Sequence, residues 1–204
     1  MIVTSVLAAY LIGAIPFSYI IGRLLKGIDI RDYGSGNVGA TNIMRTVGKV
    51  PGIIALLLDV SKGALAAAVI PLLFYNPGMQ ISEPFFKVIL GLVAVCGHIW
   101  TIFLRFKGGK GVATSIGVFL GLAPFVTASG LIVWLILAGI FRYVSLSSIA
   151  MAISLPIFML LYKRPVEYTI LSVVLCVFII YKHKANISRL LQGKEYRIGQ
   201  KTEN

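Results

Sequence analysis

The sequence contains few charged residues, and acidic residues are the scarcest of them. Of 204 residues, 13% are charged and Asp and Glu together number 7, whereas about 25% of residues are charged in a typical soluble domain. Hydrophobic residues make up 58% of the chain, and the mean hydropathy is +0.92. A soluble fold of this length could not cover so much apolar surface. The composition therefore excludes disorder and a water-soluble enzyme, and it predicts an all-α membrane helix bundle.

Cysteine is also rare, and the two cysteines do not form a recognisable site. Cys96 and Cys176 lie in separate apolar runs, and neither has the spacing of a metal or redox motif. We therefore expect buried free thiols, no disulfide and no metal site. No Lys or Arg precedes the apolar run at 2–21, and no small-residue cleavage site follows it. This pattern predicts a first span with its N-terminus outside rather than a cleaved signal peptide.

Basic residues, in contrast, are in clear excess. The chain has 19 Lys and Arg against 7 acidic residues, which gives a formal net charge of +12. In a soluble protein this excess would suggest nucleic acid, whose phosphates attract basic patches. In a membrane protein, Lys and Arg collect in cytoplasmic loops, where they also suit anionic lipids and substrates. If the basic residues lie on one side, the charge predicts the lipid bilayer as a partner and no nucleic acid.

Five apolar runs have about the 20 residues needed to cross a bilayer. They cover 2–25, 51–75, 85–104, 144–162 and 166–181. A longer run at 112–141 is interrupted by Gly121 and Pro124. If this run forms two helices, 15 Lys and Arg lie on the cytoplasmic side and 3 lie outside. If it forms one helix, 10 lie on the cytoplasmic side and 8 lie outside. The charges therefore predict seven spans with a cytoplasmic C-terminus. The absence of a linker or an internal repeat predicts one domain over 1–204.

The first of three polar segments, at 34–45, reads GSGNVGATNIMR. Its glycines match G-x-G-x-x-G, but a predicted transmembrane helix precedes it instead of a strand, which argues against dinucleotide binding. Its hydrogen-bonding side chains are those of Ser35, Asn37, Thr41 and Asn42. With the guanidinium of Arg45 they suit a phosphate or a carboxylate. The alternative is a solvated turn with a helix N-cap.

The second polar segment, at 106–114, reads FKGGKGVAT. Two lysines and three glycines precede a predicted helix, whose free N–H groups and dipole favour an anion. The spacing does not match the Walker A pattern. We favour phosphate binding, and the alternative is an ordinary basic loop on the cytoplasmic side.

The third polar segment, at 183–195, reads HKANISRLLQGKE. His183 and Asn186 are three residues apart, so on a helix continuing from the last span they share a face and together could orient a hydroxyl group. The alternative is a basic amphipathic helix that lies on anionic lipid.

Three further ionisable residues fall inside predicted spans. Asp59 and Lys62 are three residues apart, and we expect them to form a structural ion pair. His98 lies in the third run. Ionisable residues inside a membrane suggest function by default, but we interpret His98 as a histidine satisfied within the fold.

The three segments together resemble those of the bacterial acyl-phosphate:glycerol-3-phosphate acyltransferase family (PlsY type). The resemblance rests on SGNVGATNIMR at 35–45, GHIWTIFLRFKGGKGVAT at 97–114 and HKANISRLLQGKE at 183–195. With the multi-span frame it covers essentially the whole chain. It implies transfer of a fatty acyl group from acyl phosphate to the 1-hydroxyl of glycerol 3-phosphate. The products would be lysophosphatidic acid and phosphate, in the first step of phospholipid synthesis.

The resemblance also implies an environment and a set of catalytic residues. The enzyme would be a multi-pass protein of the bacterial cell (inner) membrane with its active site facing the cytoplasm. It would need no coenzyme A thioester, metal or other cofactor, and no obligate protein partner. Ser35 and Arg45 would hold the phosphate of glycerol 3-phosphate, and Lys110 would be shared between the phosphate groups. His183 and Asn186 would orient the glycerol hydroxyls.

A second set of residues is expected to contact or shape the substrate sites. They are Asn37, Thr41, Asn42, Lys107, Gly108, Gly109, Gly111, Thr114 and Glu195. Among them the glycines would shape the phosphate-binding turn, and Glu195 would support the third segment.

Two questions stay open from the sequence. The hydroxyl proton could pass to His183 or to the acyl-phosphate oxygens, and we favour the oxygens because Lys182 and Lys184 disfavour a further positive charge beside them. A transporter of small organic phosphates is the alternative function, and a structural protein that recruits anionic lipid is a third. Against a transporter stand the missing internal repeat and the confinement of the polar segments to one face.

Overall fold

The computed structural model describes residues 1–200, and within that range the chain forms helices and no β-strand. The helices are α1 (Ile2–Ala14), α2 (Phe17–Lys26), α3 (Ala40–Thr46), α4 (Lys49–Ala64), α5 (Ile70–Phe74), α6 (Glu83–Ile99), α7 (Val112–Leu122), α8 (Pro124–Phe141), α9 (Val144–Leu161), α10 (Val166–Lys182) and α11 (Lys184–Leu191). Lys201, one of the basic residues counted above, lies outside the described residues. The all-α prediction is confirmed for 1–200.

Five helical segments are long and apolar enough to cross a membrane. They are Ile2–Lys26, Lys49–Phe74, Glu83–Leu104, Pro124–Phe141 and Val144–Leu161. A sixth is present if α10 and α11, which bend by 58° relative to each other, are taken as one broken span. Helix α7 is apolar but has only 11 residues. The multi-span class is therefore confirmed, whereas the number seven and the orientation of the termini stay predictions.

The ambiguous apolar run at 112–141 is two helices, as the charge distribution predicted. Helix α7 ends at Leu122, and α8 begins at Pro124. Proline is favoured in the first turn of a helix, where its missing N–H would have no intrahelical partner. Ala123 between them is extended, with φ −151° and ψ 72°. Proline explains that conformation, because it disfavours the helical region for the residue before it.

Proline also interrupts two other spans. Ile15, just before Pro16, has φ −57° and ψ 117°, so α1 ends there and α2 starts at Phe17. In the second span, five residues at Leu65–Val69 widen into a π-helix immediately before the turn that contains Pro71. A proline removes one N–H donor and crowds the carbonyl four residues earlier, and a π-helical turn accommodates both.

The described residues fall into two compact units, and the first is Met1–Gly121. Its helices cross at glycines. A Cβ added at Gly13 would overlap the backbone of Ala94 in α6, and one at Gly97 would lie 2.9 Å from the backbone nitrogen of Ala14. Helices α4 and α7 cross in the same way at Gly63 and Gly117. In lipid no hydrophobic force drives helices together, so such close approach supplies the packing contacts that hold them.

The second unit is Leu122–Gln200. Helix α9 packs against both α8 and α10. Gly130 of α8 faces Leu155 and Met151 of α9, and Trp134 donates a hydrogen bond to the hydroxyl of Ser148 at 3.2 Å. The prediction that 1–204 is one domain stays a prediction.

Replacing Gly117 by Ala tests the close approach of α4 and α7. A Cβ at this position would overlap the carbonyl oxygen of Val60, so the two helices must separate. We expect the free energy of unfolding to fall by about 1–3 kcal/mol. Gly139→Ala is the matched control, because nothing lies within 4 Å of the added Cβ and Ala favours a helix over Gly by about 0.5–1 kcal/mol. Thermal unfolding in detergent measures both, and an unchanged midpoint for Gly117→Ala would contradict the packing described.

Candidate active site

The first polar segment forms a tight turn that leads into α3. Gly34 and Gly36 have φ values of +59° and +67°, in the left-handed region that favours glycine. The amide of Asn42 fastens the turn: its oxygen accepts the N–H of Ser35 at 2.9 Å. Its nitrogen donates to the carbonyl oxygens of Ile30, Tyr33 and Asn37 at 3.0–3.2 Å. The turn is therefore held from inside by one buried side chain.

The predicted contact residues of this segment differ in exposure. Ser35, Asn37, Thr41 and Arg45 are half-buried, whereas Asn42 is buried. The side chain of Asn42 is used within the turn, so we interpret it as the residue that shapes the segment. Its predicted contact with substrate stays a prediction.

Two arginines near this turn are already paired with an acidic residue. Arg31 contacts the carboxylate of Asp29 at 2.7 Å, and Arg23 contacts it at 3.3 Å. Hydrogen bonds from Arg31 are the main cause that lowers the pKa of Asp29 to about 2. These two positive charges are therefore partly neutralised within the turn region.

The second polar segment is a loop at 105–111, here called the lysine–glycine loop, which folds back onto the end of α6. The N–H of Gly108 donates to Ile99 O and the N–H of Gly109 donates to His98 O, both at 3.1 Å. Carbonyls at a helix C-terminus lack intrahelical N–H donors, and the loop supplies donors for these two carbonyls. A Cβ at Gly108 would overlap the carbonyl oxygen of His98. Glycine is therefore required for this backbone contact.

The side chains of this segment take three kinds of position. Lys107 is exposed, Lys110 is half-buried, and Thr114 is fully buried. Gly111 has φ +86° and directly precedes α7. Lys110 therefore stands next to the start of a helix, where an anion is favoured.

The structure brings the first two segments together within the first unit. A Cβ at Gly109 would lie 2.6 Å from the carbonyl oxygen of Val38, which belongs to the turn before α3. A narrow recess lies at this junction. The α1–α2 break and three ionisable side chains, Asp59, Lys62 and His98, contribute to its lining. The other lining residues are Ala14, Ile15, Pro16, Phe17, Ser18, Val38, Thr101, Gly108 and Gly109.

The predicted ion pair of Asp59 and Lys62 is confirmed, at 2.7 Å. The structure adds a third member that sequence reasoning missed, because Nδ1 of His98 lies 3.6 Å from the same carboxylate oxygen. The signal was present, since all three are ionisable residues in membrane-spanning helices. The spacing along the chain could not show that α4 and α6 place them side by side.

The third polar segment lies in the second unit, and its helix is not continuous. We expected a helix continuing from the last span, but α10 ends at Lys182 and α11 begins at Lys184 after a bend of 58°. The prediction of a continuous helix is therefore wrong. His183 stands at the junction of the two helices, and its Nδ1 makes a hydrogen bond of 2.7 Å with Ile179 O. His183 and Asn186 are both buried.

Glu195 joins three parts of the second unit. Its Oε1 accepts from Asn186 at 2.6 Å and from Ser145 at 2.8 Å, and its Oε2 accepts from Arg189 at 2.8 Å. Burial favours the protonated carboxyl, but the three donors outweigh it and lower the pKa of Glu195 below its ordinary value. Ser145 was not anticipated, because it lies 50 positions away in the chain.

The described residues offer no metal centre. Within 1–200 there is no group of three or more His, Cys, Asp or Glu placed to hold a metal ion. Cys96 and Cys176 are free thiols, as predicted, but they are half-buried rather than buried.

Comparison with known proteins identifies the family. The glycerol-3-phosphate acyltransferase family model matches residues 3–193. A glycerol-3-phosphate acyltransferase of Desulforamulus reducens is 45% identical over 199 residues, which cover 98% of this chain and 96% of the relative. One from Rippkaea orientalis is 44% identical and covers 96% of this chain and 92% of the relative.

Two solved structures share the fold. Both are crystal structures of PlsY (YgiH), an integral membrane glycerol 3-phosphate acyltransferase, and both are 41% identical to this chain and cover 97% of it. The glycerol 3-phosphate form has a TM-score of 0.89 and is covered to 96%. The lysophosphatidic acid form has a TM-score of 0.84 and is covered to 95%. With the matching family model and the relatives above, these similarities show that the chain belongs to the glycerol-3-phosphate acyltransferase family.

Proposed function

We propose that the chain transfers a fatty acyl group from an acyl phosphate to the 1-hydroxyl of glycerol 3-phosphate. The acyltransferase activity follows from the family, and the two PlsY structures are forms with glycerol 3-phosphate and with lysophosphatidic acid. In the reaction an ester C–O bond forms at the glycerol and the C–O bond between acyl carbon and phosphate breaks. The hydroxyl proton leaves with the phosphate.

The observation that carries the proposal is the junction of the first two polar segments. The turn at 34–39 and the lysine–glycine loop meet at Val38 and Gly109. Both segments are rich in glycine, and each carries a basic side chain, Arg45 or Lys110. Basic side chains held in this way recognise phosphate through fixed positive charge.

The predicted site residues of the first two polar segments then have roles in holding phosphate. Ser35 and Arg45 bind the phosphate of glycerol 3-phosphate, and Lys110 neutralises charge on both phosphate groups. The loop glycines Gly108, Gly109 and Gly111 set the path of the backbone. Further contacts come from Asn37, Thr41, Lys107 and Thr114, and Asn42 acts by holding the turn.

The third segment supplies orientation of the acceptor. His183 and Asn186 orient the glycerol hydroxyls. Glu195 holds Asn186 and Arg189 in place through the hydrogen bonds described above. Because Glu195 accepts from three donors, we assign it to positioning rather than to contact with the reacting atoms.

Catalysis requires alignment more than a strong nucleophile. Acyl phosphates are activated, so no cofactor is required, and alignment alone contributes about 7–11 kcal/mol to lowering the barrier. Lysine and backbone N–H groups stabilise charge that develops on the carbonyl oxygen and on the departing phosphate. The acyl-phosphate oxygens take the hydroxyl proton, because His183 lies among basic residues.

The membrane arrangement completes the proposal. The chain crosses the bacterial cell membrane seven times, with its N-terminus outside and its C-terminus in the cytoplasm. The distribution of Lys and Arg supports this orientation, and the apolar helix α7 is the additional span. All three polar segments then face the cytoplasm, and no obligate protein partner is required.

One assay tests the function against its alternative. Purified protein in detergent is incubated with radiolabelled glycerol 3-phosphate and either palmitoyl phosphate or palmitoyl coenzyme A. We expect labelled lysophosphatidic acid with palmitoyl phosphate only. Product formed with palmitoyl coenzyme A but not with palmitoyl phosphate would overturn the proposal that acyl phosphate is the donor. In a parallel sample reconstituted into sealed vesicles, label that accumulates inside without any product would favour a transporter of organic phosphates.

Replacing His183 by Ala tests the source of the base. Because the substrate takes the proton, we expect single-turnover acyl transfer to remain measurable at saturating glycerol 3-phosphate, with weaker binding of that substrate. Rapid-quench measurement of product follows the chemical step directly. Complete loss of transfer with intact substrate binding would make His183 the base.

Replacing Glu195 by Gln tests the contacts in the second unit. Arg189 then faces a neutral acceptor, so we expect a loss of about 1–3 kcal/mol in the free energy of unfolding at neutral pH. Because the folded-state pKa of Glu195 is lowered, this stabilisation is complete above the ordinary carboxyl pKa and disappears as pH falls through the folded-state pKa.

Thermal midpoints of wild type and Glu195→Gln between pH 7 and pH 3 measure that difference. Glu83→Gln is the control, because Glu83 is exposed and pairs with Lys87 one turn away, a contact worth about 0.3–0.5 kcal/mol. A difference for Glu195→Gln that stays constant across the pH range would contradict the assignment.

A further inference from the structure

Three buried ionisable residues line the same recess as Gly108 and Gly109 of the lysine–glycine loop, and the proposed chemistry does not use them. Asp59 and Lys62 of α4 are each 2% exposed, and His98 of α6 is 8% exposed. Charged groups inside a membrane protein are costly, and they persist where they have a functional reason. We call these three residues the charged cluster.

The charged cluster is tied to the break between α1 and α2. Lys62 Nζ is 2.7 Å from Asp59 Oδ1 and donates a hydrogen bond to Ile15 O at 2.9 Å. Ile15 lies in the break between α1 and α2, so its carbonyl lacks the helical partner four residues further along. The ammonium therefore fixes the carboxylate of Asp59 relative to two helices.

His98 connects the charged cluster to the loop in two ways. Its carbonyl oxygen accepts the N–H of Gly109 at 3.1 Å. Its ring occupies the space that a side chain at 109 would need, because a Cβ there would overlap Nε2. The ring thus supports the loop on one side, and its other nitrogen faces Asp59 at 3.6 Å.

We propose that Asp59, Lys62 and His98 are positioning residues that hold the lysine–glycine loop in the conformation that binds the phosphate of glycerol 3-phosphate. Lys62 fixes Asp59, Asp59 orients the His98 ring through Nδ1, and the ring and carbonyl of His98 fix Gly109. A carboxylate that orients a histidine in this way is a recurring arrangement around metal and catalytic sites. The inference rests on the proposed function, since that function assigns phosphate binding to this loop.

The test separates positioning from stability by steady-state kinetics. KM for glycerol 3-phosphate and kcat are measured at saturating palmitoyl phosphate, and thermal midpoints are measured on the same samples. For His98→Leu we expect KM to rise by about tenfold to a hundredfold, because small displacements of a binding group have effects of that size. For His98→Asn we expect a smaller rise, because its amide keeps a donor near the position of Nδ1. Cys96→Ala, two residues away in α6, is the control and leaves KM unchanged.

A single and a double variant separate an effect on KM from a loss of folding. Asp59→Asn alone leaves Lys62 buried with an unpaired charge, which is strongly destabilising. The double variant Asp59→Asn with Lys62→Met removes both charges, so we expect it to unfold near the wild-type midpoint and still to show the raised KM. A wild-type KM in that double variant, or a lowered midpoint with unchanged KM in His98→Leu, would overturn the inference.

Lys110→Ala distinguishes this inference from the proposed function. If Lys110→Ala raises KM for glycerol 3-phosphate and His98→Leu does not, only the positioning role is wrong. If Lys110→Ala leaves KM unchanged while the wild type produces lysophosphatidic acid, the phosphate role of the loop is wrong, and the inference falls with it.

Discussion

Close backbone approach at glycine is the constraint on which the first unit depends. Gly13 and Gly97 let the backbones of α1 and α6 touch where the helices cross, and Gly63 and Gly117 do the same for α4 and α7. In lipid these contacts replace the hydrophobic force that packs soluble helices. They also decide where the helix ends lie. The break after α1, the last turns of α4 and the C-terminus of α6 are thereby brought around one recess.

A second constraint organises the polar groups of the first unit, because backbone carbonyls at the helix ends need hydrogen-bond donors. The carbonyls of Ala14 and Ile15 lose helical partners at the break, and Thr101 and Lys62 donate to them at 2.6 and 2.9 Å. The carbonyls at the end of α6 are taken by the lysine–glycine loop. The backbone N–H groups of Gly108 and Gly109 therefore fix the loop to the helix end. In the proposed function, the position of the phosphate-binding loop is thus set by how α6 ends.

Much of the fold and part of the site could be predicted from the sequence. Apolar run lengths and basic residues predicted the helical class and the division at Ala123, because both depend on local composition. The contact of Asp59 with Lys62 was predictable, because three residues along a helix place side chains on one face. The three polar segments were predictable as candidate sites from their residue types.

Other features depend on tertiary contacts that no local pattern reports. The approach of His98 to Asp59 requires the packing of α6 near α4, and the bond from Ser145 to Glu195 joins residues 50 positions apart. The bend at His183 interrupts a sequence whose composition is equally compatible with a straight helix. Asn42 looked like a ligand because it is polar, yet its amide is used inside the turn.

In the proposed function the phosphate of glycerol 3-phosphate supplies most of the binding of the acceptor, and the glycerol hydroxyls are only oriented. Competition binding tests it most directly, with purified protein in detergent, radiolabelled glycerol 3-phosphate, and either inorganic phosphate or glycerol as competitor. We expect phosphate to displace the label competitively, whereas glycerol at the same concentration does not. Displacement by glycerol with no effect of phosphate would contradict it.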